Sequence, residues 1–313
     1  MDQLLGYARK YGIAVITLAV FVALAATTDG FATIRNLRNI LDQQSTVLIA
    51  ASFMTLAIIA GNFDVSVSAV FVAAPLFALT VENATGSAGL AVATAIAVGL
   101  IMGSINGMIV TLFKVNSFIG TLATSFMFFG AGFLISDRSL MRPSGDMFQQ
   151  IARTRFFGVT SAFWIALIVV IFAAILLART RFGRNVYATG GNREAARLAG
   201  VKVDRVQAAT FIMLGAAAGL AGVLNASRSI SAQPSDDFSF VFTVLTAVIV
   251  GGTSIAGGQG AIWRTVAAVF FLAFMTNGFN LHQIDPIWQR IIQGAVILVA
   301  VGIDAWAQRG RNG

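Results

Sequence analysis

The sequence predicts an all-α integral membrane protein, a polytopic bundle of about ten transmembrane helices in one domain that spans residues 1–313. The composition is 57% hydrophobic and 11% charged, with a mean hydropathy of +0.83. An average soluble domain has about 25% charged residues. The apolar residues also run continuously instead of alternating, which favours helices over a barrel.

Charged residues divide the chain into charge-free windows, and each window that is long enough predicts one span. The last window is short. The windows lie between Lys10 and Asp29, Asp42 and Asp64, Asp64 and Glu82, Glu82 and Lys114, Lys114 and Asp137, Arg155 and Arg179, Arg205 and Arg228, Asp237 and Arg264, Arg264 and Asp285, and Arg290 and Asp304.

Several classes of site are excluded by composition. The chain has no cysteine and one histidine, His282, so disulfides, thiol nucleophiles and metal sites rich in cysteine or histidine are not expected. No cofactor or metal is therefore predicted. The net charge of +8 is attributed to loop arginines that hold a membrane protein's orientation, not to nucleic-acid binding.

The glycine-rich stretch 251–260 does not form a nucleotide-binding phosphate loop. Such a loop requires a following Lys and then Ser or Thr, whereas Ala261 and Ile262 follow here. Any use of ATP therefore requires another subunit.

The distribution of arginine predicts the orientation. An even number of spans places both termini and the loop 179–206 on one side, and the density of basic residues in that loop indicates the cytoplasm. The loop after Ser136 is also basic, which counts against this assignment.

Within the loop 179–206, local chemistry predicts a short helix from Arg193 to Ala199. Asn192 is a suitable N-cap, and Gly200 can end the helix in the left-handed conformation. Glu194 in the first turn and Arg197 near the end suit the helix dipole. The helix is interpreted either as a docking element for a partner protein or as part of a basic loop that only fixes orientation.

Polar residues interrupt the apolar pattern at 61–68. Gly61 and Asn62 favour a turn, and a carboxylate at Asp64 requires water, a polar partner or the protein interior. Ser66 and Ser68 can bind backbone groups freed by the turn. This segment is either a broken helix that lines a translocation path or a tight turn with capping side chains.

Other uncharged polar residues lie at or within predicted spans, and each could contact a neutral polyhydroxylated solute or bind a neighbouring helix. They are Asn106, Asn116, Ser117, Thr121, Asn277 and Asn280.

Small residues are dense within the spans. Gly103 with Gly107, and Gly215 with Gly219, have the Gly-x-x-x-Gly spacing that lets helices approach closely. Packing within the chain is favoured over a dimer face.

Two other functions would require different residues in the spans. An ion-coupled secondary transporter would place acidic or histidine residues deep in its spans, whereas the charges here lie almost entirely at window edges. An intramembrane enzyme would need a nucleophile with a base, or metal ligands, at one depth in the membrane. The chain has no cysteine, and its one histidine lies at a span end, so this function is not favoured.

Taken in order, five segments resemble the permease subunit of bacterial ABC sugar importers of the ribose type, and the resemblance covers nearly the whole chain. Val65 stands where leucine is commoner in that family. The segments are Gly61-Asn62-Phe63-Asp64-Val65-Ser66-Val67, residues 116–124, Thr180-Arg181-Phe182-Gly183-Arg184, residues 188–200 and Gly251-Gly252-Thr253-Ser254.

The resemblance implies a transport subunit without its own nucleotide site, which imports a pentose, hexose or related polyol by alternating access. It implies three protein partners: a cytoplasmic ABC ATPase, a periplasmic sugar-binding protein and a second permease copy, which we expect to be identical. The expected location is the bacterial inner membrane.

The resemblance implies a coupling role for Glu194, Ala195, Ala196 and Gly200, whereas the path residues are candidates only from their polarity and their position at or within the spans. The expected ATPase-coupling residues are Asn192, Arg193, Glu194, Ala195, Ala196, Arg197, Leu198 and Gly200. The expected translocation path comprises Asn62, Asp64, Ser66, Ser68, Asn116, Ser117, Thr121, Asn277 and Asn280.

Overall fold

The fold is an α-helical bundle with one small hairpin. A computed structural model describes residues 2–289, 291, 292, 294–296, 298 and 302. The elements are α1 (Asp2–Thr27), α2 (Ile34–Ile59), α3 (Val67–Thr85), α4 (Ala88–Thr111), α5 (Ser117–Ile135), α6 (Asp146–Arg153), β1 (Arg155–Phe156), β2 (Val159–Thr160), α7 (Ser161–Arg179), α8 (Arg181–Gly191), α9 (Arg193–Leu198), α10 (Val203–Ser229), α11 (Ser239–Val250) and α12 (Ile262–Leu281).

The all-α membrane class is confirmed. Within the described residues, 7 helices are long and apolar enough to cross a membrane: α2, α3, α4, α5, α7, α10 and α12. Tyr11–Thr27 of α1 and all of α11 are shorter apolar helices. The expected count of about ten spans is not reached in this part of the chain, and the window Arg290 to Asp304 falls largely outside it.

One window differs from its prediction. The window from Asp237 to Arg264 contains α11, which has 12 residues and is therefore only about 18 Å long. It ends where Gly252 adopts a left-handed φ of 74°, and a glycine-rich loop follows. The sequence window was long enough for a full span, but part of it forms this loop.

The tightest helix pair is α4 with α10, which run antiparallel. A Cβ atom added at Gly99 would clash with the carbonyl oxygen of Gly215, and one at Gly103 would clash with that of Phe211. One at Gly219 would clash with the carbonyl oxygen of Ala95. The glycine pairs therefore serve close packing within the chain, as predicted.

The bundle has two ends, here called the α9 end and the α6 end. Helix α10 begins beside α9, and Ser227 near its other end accepts a bond from the backbone N–H of Ala152 in α6 at 3.0 Å. With 27 residues, α10 separates these ends by about 40 Å. Helix α1 runs parallel to α12, because Tyr11 lies near Trp263 and Thr28 is hydrogen-bonded to His282. Since α12 begins at the α9 end, α1 begins there too.

Candidate coupling and translocation sites

The turn that contains Asp64 joins α2 to α3 and is buried in the bundle. Gly61 has a φ of 80°, which favours glycine. The Asp64 carboxylate accepts bonds from the backbone N–H and the hydroxyl of Ser66 at 2.8 and 2.7 Å. The segment is thus a tight turn whose backbone is bound by Asp64, whereas the Ser66 hydroxyl binds other side chains and the Ser68 hydroxyl binds the backbone of α11, not groups freed by the turn as expected. Its role in a translocation path stays a prediction.

Asn62 joins this turn to α10. Its side-chain NH2 group donates to the hydroxyl of Thr210 at 2.9 Å, and its carbonyl oxygen accepts from the amide of Gln207 at 2.9 Å. Asn62 is 1% exposed, so these bonds replace water as its partners. Gln207 and Thr210, which were not among the residues predicted from the sequence, belong to the same hydrogen-bond network.

Asn106 of α4 connects the same turn to α5. It donates to the hydroxyl of Ser66 at 2.6 Å and accepts from the hydroxyl of Thr124 at 2.6 Å. Ser68, at the start of α3, accepts a bond from the backbone N–H of Val241 in α11 at 2.8 Å. The turn therefore lies where α3, α4, α5, α10 and α11 meet.

The predicted path residues of α5 join this network. Asn116 caps the helix with its side-chain oxygen. Ser117 accepts a bond from the backbone N–H of Phe63 at 3.1 Å, and Thr121 accepts one from that of Val65 at 3.0 Å. Ser117 and Thr121 are therefore joined to the turn 61–68, whereas Asn116 caps only its own helix.

Asn277 and Asn280 lie elsewhere. Asn277 exchanges side-chain hydrogen bonds with Asn36 at 2.8 and 2.9 Å, and so links α12 to α2 near the α6 end. Asn280 accepts a bond from the side chain of Gln289 at 2.9 Å. The structure does not bring these two residues to the turn that contains Asp64.

Two buried carboxylates that sequence reasoning did not select anchor loops at the α6 end. Asp42, in α2, accepts bonds from the backbone N–H and hydroxyl of Thr160 in β2. Glu82, in α3, accepts bonds from the backbone N–H groups of Ser144 and Gly145. Both residues lie at the edges of charge-free windows, where charged side chains usually face water, so their burial was not expected.

Helix α9 has the capping that its sequence predicts. Asn192 accepts a bond from the backbone N–H of Ala195 at 3.0 Å, and Gly200 follows the helix with a φ of 81°. Glu194 pairs with Arg197 at 3.1 Å in an exposed ion pair. The helix ends at Leu198, one residue before the predicted end.

Most residues of α9 are exposed to solvent. Ala196 is buried, whereas Arg193 is exposed and the large apolar side chain of Leu198 is 90% exposed. A well-capped helix that presents an apolar side chain surrounded by charged groups has the chemistry of a protein contact.

Helix α8 and the glycine-rich loop 251–260 pack at the end of α2. A Cβ atom added at Gly190 would clash with the carbonyl oxygen of Ile59, which also accepts a bond from the backbone N–H of Gly258 at 2.9 Å. Tyr187 of α8 donates to the carbonyl of Gly260 at 2.8 Å, and burial raises the pKa of its phenol, so it remains a donor. The loop thus holds α8, the helix that precedes α9, in contact with the end of α2.

Comparison with known proteins assigns the chain to a family. The family model described as "Branched-chain amino acid transport system / permease component" matches residues 36–301. No solved structure matches the chain.

Three relatives are similar over nearly their whole length. The L-arabinose transport system permease protein of Escherichia coli (strain K12) is 33% identical over 97% of this chain and 92% of its own. The ribose import permease protein of the same strain is 35% identical over 92% of each chain. The L-arabinose ABC transporter permease protein of Azospirillum brasilense is 30% identical over 97% of this chain and 90% of its own. The chain therefore belongs to this permease family, as both the family model and these full-length similarities show.

Proposed function

We propose that the chain is the membrane subunit of an ATP-driven importer that carries a sugar or related polyol across the bacterial inner membrane. The observation that carries this proposal is the similarity to an arabinose permease over 97% of this chain and to a ribose permease over 92%. Such similarity does not select among pentoses, hexoses and polyols, so the proposal is made for the class.

We propose that α9 docks into a partner ATPase. Its caps keep it folded on an exposed loop, and Leu198 offers an apolar contact that is 90% exposed. Lys202 and Arg205, which line a cavity of about 500 Å³ beside α9, would attract an acidic partner surface. The contact between Gly190 and Ile59 would pass movement of this loop to α2 and the turn at Asp64.

The α6 end is proposed to face the periplasm and to receive the sugar-binding protein. A polar cleft of about 700 Å³ at this end is lined by Asp42, Arg153, Arg155 and Arg228, among other residues. The arginines exceed the acidic groups there, which suits an acidic partner surface. In this orientation the N-terminus and α9 are cytoplasmic, and we expect the C-terminus to be so as well.

The mechanism proposed is alternating access by two copies of the chain. ATP-driven closure of the ATPase would move α9 and change which end of the central path is open. The residues joined to the turn 61–68 are proposed to lie beside this path, where weak polar contacts release the solute readily.

Copurification of the ATPase with the detergent-solubilised permease tests the docking proposal. We expect the ATPase to copurify with the wild type and not with a Glu194→Lys, Gly200→Pro variant, because the first change removes the ion pair with Arg197 and the second cannot adopt a φ of 81°. Asp146→Lys, an equivalent charge reversal at the exposed α6 end, is the control and should retain the ATPase. Equal recovery with all three proteins would contradict docking at α9.

A further inference from the structure

A small polar pocket lies between α3, α10 and the segment that connects α10 to α11. Its volume is about 210 Å³, below the range of drug-sized ligand sites, which suits a small solute. Asn225 and Ser229 of α10 and Ser231 and Gln233 of the connecting segment contribute its polar lining. We call it the α3–α10 pocket.

The chemistry of this lining is polar but neutral. None of the described residues that line the pocket is charged. Each amide and each hydroxyl can both donate and accept hydrogen bonds, as the hydroxyl groups of a polyol do. Asn225 accepts a bond from Arg228 with its carbonyl oxygen at 3.2 Å, which leaves its NH2 group available to a ligand.

The wall formed by α3 adds a backbone acceptor. Pro75 lies inside this helix and has no N–H group, so the carbonyl of Phe71, four residues earlier, loses its usual helical donor. That carbonyl faces α10 at Gly222, where an added Cβ would clash with it. Phe71 and Gly222 both line the pocket, so this acceptor lies at its wall.

The connecting segment packs against the bundle without forming a helix. Ile230 ends α10 with a φ of 56°, and Ala232 is bridged to Met141 by two backbone hydrogen bonds. Phe238 then packs against Phe126 and Phe129, which lie in the middle of α5, with ring centroids 5.9 and 5.2 Å away. Non-helical backbone at this depth must be buried in protein or line a water-filled cavity.

The connecting segment lines such a cavity, because Ser231, Ala232 and Gln233 form part of the α3–α10 pocket. Ser229 and Gln233 are exposed on this chain, and the hydrogen bond between Asn225 and Arg228 places the wall of the pocket beside that of the arginine-lined cleft at the α6 end.

We propose that the α3–α10 pocket binds a neutral polyhydroxylated solute through Asn225, Gln233 and the freed carbonyl of Phe71. This inference rests on the proposed transport function and adds a site that lies apart from the turn at Asp64. A carboxylate of similar size binds poorly, because the pocket supplies no opposite charge to replace its water.

Cysteine labelling tests the site directly, because the natural chain contains no cysteine. Asn225→Cys and Gln233→Cys are made separately and treated, in the nucleotide-free complex with ATPase, with a charged methanethiosulfonate reagent. Both should react, because water in the pocket allows the thiolate to form. Ser104→Cys, on the exposed face of α4, is the control and should stay unreactive in lipid.

The ligand class is tested by protection. A transported pentose or hexose at ten times its dissociation constant should slow labelling of Asn225→Cys about ten-fold, and gluconate should not. Unreactive pocket thiols, absence of protection, or equal protection by gluconate would overturn the proposed site. Sugar uptake by the unmodified protein is measured in parallel, and its absence would overturn the transport function instead.

Discussion

Two asparagine side chains, Asn62 and Asn106, hold the turn between α2 and α3 against neighbouring helices. Each uses both its donor and its acceptor, and each is 1% exposed. Loss of one of these side chains removes a buried hydrogen-bond partner from each of the groups that it contacts.

We predict that Asn106→Ala destabilises the protein by about 1–3 kcal/mol, because the hydroxyls of Ser66 and Thr124 each lose a buried partner. The measurement is the thermal unfolding midpoint of the purified protein in detergent. Asn83→Ala is the matched control, since Asn83 is exposed and makes one bond, to the carbonyl of Arg142. A loss no larger than that of the control would contradict a structural role for this network.

For individual residues, the sequence predicted the turn between α2 and α3 but not the side chains of α10 that bind it. Gly61, Asn62 and Asp64 stand out because polar and flexible residues interrupt an apolar run. Thr210 and Gln207 are 148 and 145 residues from Asn62, and only the packing of α10 against the end of α2 brings them together. No local pattern encodes that contact.

Among the elements, the pair α4 and α10 shows most clearly what glycine does in this bundle. In lipid, the hydrophobic effect does not drive helices together, so close backbone contact must supply the attraction. The clashes that a Cβ would make at Gly99, Gly103, Gly215 and Gly219 show that the backbones are already in contact.

We predict opposite effects for two glycine substitutions. Gly215→Ala should destabilise the protein by about 1–3 kcal/mol, because the new methyl group would clash with the backbone of Gly99. Gly130→Ala, in α5, meets nothing within 4 Å and should be neutral or stabilising by up to about 1 kcal/mol. Thermal unfolding midpoints measure both, and a harmless Gly215→Ala would contradict the close packing.

Helix positions were largely predictable, whereas one helix length was not. Charged residues lie near the ends of most helices, so nine of the windows each contain the greater part of one helix of the structure. Helix α11 is shorter than its window because the residues after it form the glycine-rich loop 251–260, and the segment 230–238 before it is not helical either. Its stabilising contacts, such as Phe238 with Phe129, are tertiary and leave no periodic signal.

Across the whole molecule, the two ends differ in the chemistry they present. The α9 end carries a capped, exposed helix with an apolar side chain at Leu198, and the α6 end carries a cleft with Arg153, Arg155 and Arg228. The sequence analysis placed the N-terminus and the loop 179–206 on one side, and the parallel course of α1 and α12 agrees with that relative placement. Which side is cytoplasmic is part of the proposed function.

The central claim is that this chain carries sugar when an ATPase acts on α9. The most direct measurement is uptake of labelled sugars into proteoliposomes that contain the permease, the ATPase and the binding protein, with Gly130→Ala, whose new methyl group would meet nothing within 4 Å, as the control for the Glu194→Lys, Gly200→Pro variant. We predict accumulation of a pentose, hexose or polyol that requires ATP and is lost in the α9 variant but not in the control. Uptake that proceeds without ATP, or equally well in the α9 variant, would contradict the account.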